Sequence, residues 1–243
     1  MSADYTYTDV AGMIDHSLVN PALTWEDLER GIEVALAYDV ASVCILPYAL
    51  KHCAGRLQGS DVRASTTIGF PHGCHTTAIK VAEARQALAD GGEELDMVVN
   101  ISKVLSGDWA YVSQDIGSVV DVTHAAGRKV KVIFENAYLN DDQKIRLCQV
   151  CGEVGADWVK TSTGYAASGA TDADLVLMRK HSPPQVQVKA AGGIRDLDAL
   201  LRVRALGVTR CGATRTVAMM DEARRRLGLA PISAPLAVET TRY

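Results

Sequence analysis

With 243 residues, 48% of them hydrophobic, the chain can bury a substantial core, and its length suits one α/β barrel as well as two smaller domains. Its net charge of -4 is spread along the sequence without the basic block that nucleic acid or an anionic membrane would need, so the expected partner is a small molecule. No apolar run approaches the ~20 residues of a bilayer span, and the opening MSADYTYTDV lacks a secretory pattern. The six cysteines therefore read as thiols, and the expected location is cytoplasmic.

Residues 1–10 read as a short N-terminal extension. After it come the strand candidate GMIDHS, the helix candidate TWEDLERGIEVALAYD, and the strand candidates ASVCIL and VRASTTIGF. The helix TTAIKVAEARQALADG leads to the strand EELDMVVN, and DWAYVSQDIGSVVDVTHAAG leads to KVKVIFE. NDDQKIRLCQVCGEVG then precedes DWVKTS, and TDADLVLMRKH precedes VQVKAAG and VTRCGA. Strand candidates are short, whereas helical ones repeat apolar residues every three or four positions. Thr24 before Glu26 and Asp27, and Thr171 before Asp172 and Asp174, read as N-caps with carboxylates facing the positive helix end. Gly92, Gly127 and Gly155 stand where helices should stop. Residues 228–243 show no period and are expected to form a mobile tail.

Eight strands alternating with helices fit either a closed barrel or an open doubly wound sheet. An open dinucleotide-binding sheet should carry GxGxxG after its first strand, and this sequence has none. The expectation is therefore an α/β protein, a single-domain (β/α)8 TIM barrel over 1–243.

In such a barrel, alternate strand residues face the helices and must be apolar, while the others point inward. Val130, Val132 and Phe134 take the outward positions of KVKVIFE, leaving Lys131 and Glu135 inside. Val186 and Val188 leave Gln187 and Lys189 inside, and Leu95, Met97 and Val99 leave Asp96 inside. The same parity turns Cys44 and Lys160 inward. A polar plug of mutually neutralised charges would explain any one of these residues. So many together suggest chemistry, because buried charges are costly unless paired.

DWVKTSTGY and QVQVKAAGGIRD each carry an inward lysine just before a glycine-containing turn. A lysine attacks a carbonyl only as the neutral amine, and at pH 7 about one free lysine in a few thousand is neutral. A second ammonium ~5 Å away contributes about 3 kcal/mol of repulsion at an effective dielectric near 20, and desolvation adds to this. Neighbouring lysines can thus produce one good nucleophile, with Asp96 as a carboxylate to move protons. Spacing alone does not choose between Lys160 and Lys189.

The motifs IDHSLVNP, VCILP, TIGFPHG, ELDMVVN, VKTSTGY, VKAAGGIR and RCGATRT, in this order, resemble the deoxyribose-phosphate aldolases over roughly Met13 to Leu227. The resemblance implies a class I aldolase without metal or cofactor, which reversibly joins acetaldehyde to glyceraldehyde 3-phosphate to give 2-deoxyribose 5-phosphate. It also implies that Lys160 forms the imine, that Lys189 lowers its pKa and that Asp96 is the acid/base partner. Asp15, Cys44, Lys131, Thr161 and Thr214 are expected to line the substrate site. Gly164, Gly192, Gly193 and Gly212 are expected just past three consecutive strands, where barrels bind phosphate through backbone N–H groups. The family usually has asparagine where Leu46 stands, and a serine pair where Thr214-Arg215 stands. Arg215, just beyond Gly212 at the expected start of the last helix, is expected to clamp the phosphate. An aldolase of the same mechanism with another acceptor, or a sugar-phosphate-binding barrel without catalysis, are the alternative readings.

His72, Cys74 and His75 in PHGCH form a partial zinc-ligand set, whose completion the sequence does not reveal. Cys148 and Cys151 form CxxC inside a helical pattern, without a second pair. Cys44 reads as a small filler near the pocket rather than a nucleophile. The last fourteen residues, at up to ~3.4 Å each, are long enough to return to the pocket, where Tyr243 would relay a proton beside the imine. A homodimer is the expected assembly.

Overall fold

The alternating runs form eight parallel strands: β1 (Ile14–Leu18), β2 (Ser42–Ile45), β3 (Arg63–Ile68), β4 (Glu94–Val98), β5 (Lys129–Ile133), β6 (Trp158–Lys160), β7 (Gln187–Ala191) and β8 (Arg210–Ala213). Each pairs with the next, and β8 returns to β1, which closes the barrel in sequence order. This computed structural model describes residues 4–232. Parity sorts the strands as the sequence requires. Leu95, Met97, Val99, Val130, Val132, Phe134, Val186 and Val188 all join the apolar layer between barrel and helices.

Ten helices surround the strands among the described residues. The five expected ones are α2 (Trp25–Tyr38), α4 (Thr77–Ala89), α6 (Trp109–Ala125), α7 (Asp141–Glu153) and α8 (Asp172–His181). Thr24 caps α2 with Asp27 answering in a capping box, and Thr171 accepts from the Asp174 N–H at the start of α8. The sequence reading did not single out α3 (Leu50–Arg56), α5 (Ile101–Leu105) or α9 (Leu197–Ala205), while the last helix expected from Arg215 onward is α10 (Thr216–Arg226). Within 1–10, read as an extension, Thr6 caps the helix α1 (Tyr7–Ala11), which buries Val10 and Ala11 in the core.

His16 of β1 shares a 2.8 Å hydrogen bond with the Thr216 hydroxyl and so ties the first turn of α10 to the barrel. Burial drives its pKa down to about 4, so the ring remains neutral at physiological pH. At the far end of α10 the Arg224 guanidinium donates to the Ala230 carbonyl at 2.7 and 2.5 Å, and Ile232 packs against the core. The tail residue Tyr243 lies outside the described residues. Among the described residues, no helix is long and apolar enough to cross a membrane. All six cysteines are free, and only Cys74 is exposed.

Candidate active site

Strand register sets the inward charges side by side. Lys160, the last residue of β6, lies opposite Lys189 of β7, which lies opposite Arg210 of β8. On the other side Lys131 of β5 lies opposite Asp96 of β4. Asp96 is the hub: its Oδ2 accepts from Lys160 Nζ and from Lys189 Nζ, each at 2.7 Å, and its Oδ1 accepts from Lys131 Nζ at 2.9 Å. Asp15 Oδ2 lies 2.5 Å from Lys189 Nζ and 3.2 Å from Lys131 Nζ, while Ser42 donates to its Oδ1 at 2.7 Å.

The mouth of the barrel distinguishes the two lysines. Lys160 is 6% exposed and touches one carboxylate, whereas Lys189 is 1% exposed and touches two. Burial depresses the Lys160 pKa. Asp96 opposes this and Lys189 reinforces it, leaving Lys160 below the ordinary lysine value. Desolvation therefore leads and the second ammonium assists, the reverse of the emphasis that spacing suggested. Burial acts on Lys189 in the same sense, but Asp15 and Asp96 outweigh it and hold its pKa above the ordinary value. Burial would raise Asp96, yet Lys131, Lys160 and Lys189 together keep it well below the usual carboxylate range.

Cys44 faces the same interior with its thiol pKa raised, by burial first and then by Asp96, which suits a filler more than a nucleophile. Thr161 clasps β6 to β7: its hydroxyl donates to the Ala191 carbonyl at 3.1 Å and accepts from the Ala191 N–H at 3.0 Å. Glu135 stands at φ 58 just past β5, with Thr163 donating to it through both hydroxyl and N–H, and burial raises its pKa.

Gly164, Gly192 and Gly193 lie past β6 and β7 with φ of 93, 82 and 87°, a region that favours glycine. A Cβ on Gly192 would also come within 2.8 Å of the Gly169 Cα, a packing partner that sequence reasoning missed. Gly212 requires a correction. It lies within β8 rather than past it, because the strand runs on to Ala213, and a Cβ there would meet Lys189 Cε at 3.8 Å. Both that contact and the 3.5 Å approach to Ala191 Cβ are ordinary van der Waals distances. Thr214 is half-buried, and exposed Arg215 is the N-cap residue of α10, as expected. Leu46 is half-buried after β2. His72, Cys74 and His75 are exposed in the loop after β3, and no group of three or more metal-ligating side chains gathers among the described residues.

Sequence reasoning also missed Glu94 and Arg210, which lie beneath the hub. Arg210 Nη1 donates to Asp15 and its Nη2 donates to Glu94 Oε1 at 2.8 Å, while Lys131 Nζ lies 2.6 Å from Glu94 Oε2. The signal was available, since Glu94 shares the parity of Asp96, and Arg210 that of Gly212.

A closed eight-stranded barrel with a desolvated lysine at the carboxyl end of one strand has the parts of the lysine-dependent barrel enzymes, an amine placed to meet a carbonyl. Comparison with known proteins narrows this class. Residues 10–214 match the DeoC/LacD family aldolase. The chain is 66% identical to a deoxyribose-phosphate aldolase of Rhodopirellula baltica over 95% of both chains. It is 44% identical to one of Thermococcus gammatolerans, over 89% of this chain and 97% of the relative. A solved structure of deoxyribose phosphate aldolase from Aeropyrum pernix, described as tetrameric, superposes with a TM-score of 0.83 at 28% identity, over 89% of this chain and 92% of that one. The chain belongs to the DeoC/LacD family of aldolases.

Proposed function

We propose that the protein cleaves 2-deoxy-D-ribose 5-phosphate reversibly to acetaldehyde and D-glyceraldehyde 3-phosphate through a lysine imine. The observation that carries this reading is the placement of Lys160 at the barrel mouth, opposite Lys189 and with Asp96 2.7 Å away, where burial holds its pKa below the ordinary value. Neutral Lys160 attacks the aldehyde carbon of the open-chain sugar, and loss of water leaves a protonated imine. A base takes the proton of the hydroxyl on the third carbon. The bond between the second and third carbons then breaks, its electron pair flows into the imine as an enamine, and the phosphorylated aldehyde leaves. Protonation of the enamine carbon and hydrolysis of the imine release acetaldehyde and restore Lys160.

Lys189 acts as a fixed positive charge beside the reacting nitrogen. Asp96, hydrogen-bonded to Lys160 Nζ at 2.7 Å, relays protons directly or through water once imine formation alters the charge on that nitrogen. Asp15 and Lys131 hold this arrangement from below, and Thr161 and Cys44 shape the pocket wall. The backbone at Gly164, Gly192 and Gly193 and the start of α10 with Arg215 receive the phosphate, and Thr214 and Gly212 line its approach. A cytoplasmic location belongs to the same proposal, supported by six free thiols, as does self-association, supported by the tetrameric Aeropyrum relative.

A retro-aldol assay comparing 2-deoxyribose 5-phosphate with unphosphorylated 2-deoxyribose tests the proposal. Faster release of acetaldehyde from the phosphorylated sugar is expected. Equal rates would point to an aldolase with another acceptor, and no release from either sugar would contradict catalysis.

A further inference from the structure

The acids and bases beneath the nucleophile do not match in number. Lys131, Lys160, Lys189 and Arg210 share three carboxylates, those of Asp15, Glu94 and Asp96. Arg210 engages Asp15 and both Glu94 oxygens, with its Cζ 5.2 Å from the centre of the Trp158 ring. Glu94 is thus held at the amino end of the barrel, while Asp15 divides between Arg210 and the ammoniums of Lys131 and Lys189. Asp96 is left facing three lysines.

Within this set of direct ion pairs one cation is in surplus, since buried Glu135 accepts from Thr163 instead of pairing with a lysine, and an arginine does not release its proton. Lys131 touches three carboxylates and Lys189 two, whereas Lys160 touches one. The least supported ammonium is the one that gives up its proton. We infer that Arg210 and Glu94 are positioning residues that set the protonation of Lys160 through the buried charge network, Arg210 as the surplus positive charge and Glu94 as the negative charge that offsets it. The inference rests on Lys160 being the nucleophile.

The charged and titratable groups around Lys160 come from every side of the barrel. Asp96 of β4, Lys189 of β7, Cys44 of β2 and Glu135 after β5 act on Lys160 itself, whereas Asp15 of β1, Glu94 of β4, Lys131 of β5 and Arg210 of β8 reach it through Asp96 and Lys189. Arg63 of β3 also lies 3.7 Å from Glu94, but its side chain is half-exposed and screened by solvent.

Glu94→Gln and Arg210→Gln break the same ion pair, so a purely bracing role predicts the same change from both. A charge-setting role predicts opposite changes in the acid limb of kcat/KM for 2-deoxyribose 5-phosphate cleavage. Loss of the Glu94 charge should move the limb to lower pH, and loss of the Arg210 charge should move it to higher pH, each by roughly half to one unit. Arg210→Lys keeps the charge without the forked geometry and should leave the limb in place. Should Arg210→Gln fail to fold, Glu94→Gln and the double variant Glu94→Gln/Arg210→Gln still carry the test, with the limb lowered in the first and restored in the second. Limbs that move the same way, or that stay fixed while rates fall, overturn the inference. Borohydride trapping in the same samples separates the two layers of the argument. An adduct on Lys160 with limbs moving together removes this inference alone, whereas an adduct on another lysine removes the nucleophile assignment and this inference with it.

Discussion

Lys80 and Lys160 are both buried lysines bonded to an aspartate, yet they sit in opposite circumstances. Lys80, on α4, donates to Asp115 of α6 at 2.5 Å and to the Val98 carbonyl at the end of β4 at 2.8 Å, and Thr77 donates to the other Asp115 oxygen. One cation meets one carboxylate there, with neutral groups completing the bonds. Around Lys160 the single Asp96 serves three lysines. A matched pair pins a helix to a strand, whereas an oversubscribed carboxylate leaves one amine poised to lose its proton. On the proposed reading, stoichiometry of pairing, more than burial, separates the bracing Lys80 from Lys160, the lysine proposed to react.

Removing the amine proposed to react should have the largest effect. Lys160→Met should lower turnover by at least about a thousandfold while the protein stays folded, because no other lysine replaces the imine. Circular dichroism beside the acetaldehyde-release assay reads both quantities, and activity near that of the unaltered protein would erase the contrast with Lys80.

Lys189→Leu comes next. It removes a repelling charge from Lys160 and also a competitor for Asp96, so both effects raise the Lys160 pKa. The neutral amine is present above that pKa. The acid limb of the pH–rate profile should therefore shift upward, with turnover near neutrality reduced by about a hundredfold. A profile unchanged in shape would show that Lys189 does not tune its neighbour.

Arg215→Ser tests the mouth rather than the hub. It should weaken binding of the phosphorylated sugar by about 1–3 kcal/mol, seen as a higher KM, with unphosphorylated 2-deoxyribose nearly unaffected. Equal losses for both sugars would make the arginine a structural residue.

Lys80→Met should alter the chemistry least. By stranding Asp115 it should cost about 3–5 kcal/mol of stability in denaturant titration. The kcat/KM of the folded fraction should remain within about threefold of the unaltered protein. Loss of turnover without loss of stability would blur the line between the two lysines.

The barrel was legible because strand parity is a local signal. KVKVIFE, QVQVKA and ELDMVVN each show which residues face the helices, and those residues form the apolar layer. The hub was legible for the same reason, although the choice of Lys160 came from family resemblance. Lys80 was not legible, since its partner Asp115 is 35 positions away and only tertiary packing brings them together. Short α3 and α5 offer too few turns to display a period. Gly212 was misplaced by grouping it with the turn glycines after β6 and β7, although the strand candidate VTRCGA already contained it. The order of causes behind the Lys160 pKa was hidden as well, because desolvation depends on the closed barrel and not on neighbours in sequence.

Borohydride reduction in the presence of acetaldehyde, followed by peptide mapping, tests the central claim most directly. The account predicts one reduced two-carbon adduct, on Lys160, with Lys80, Lys131 and Lys189 unmodified. An adduct on Lys189, or turnover with no trapped adduct at any lysine, would contradict it.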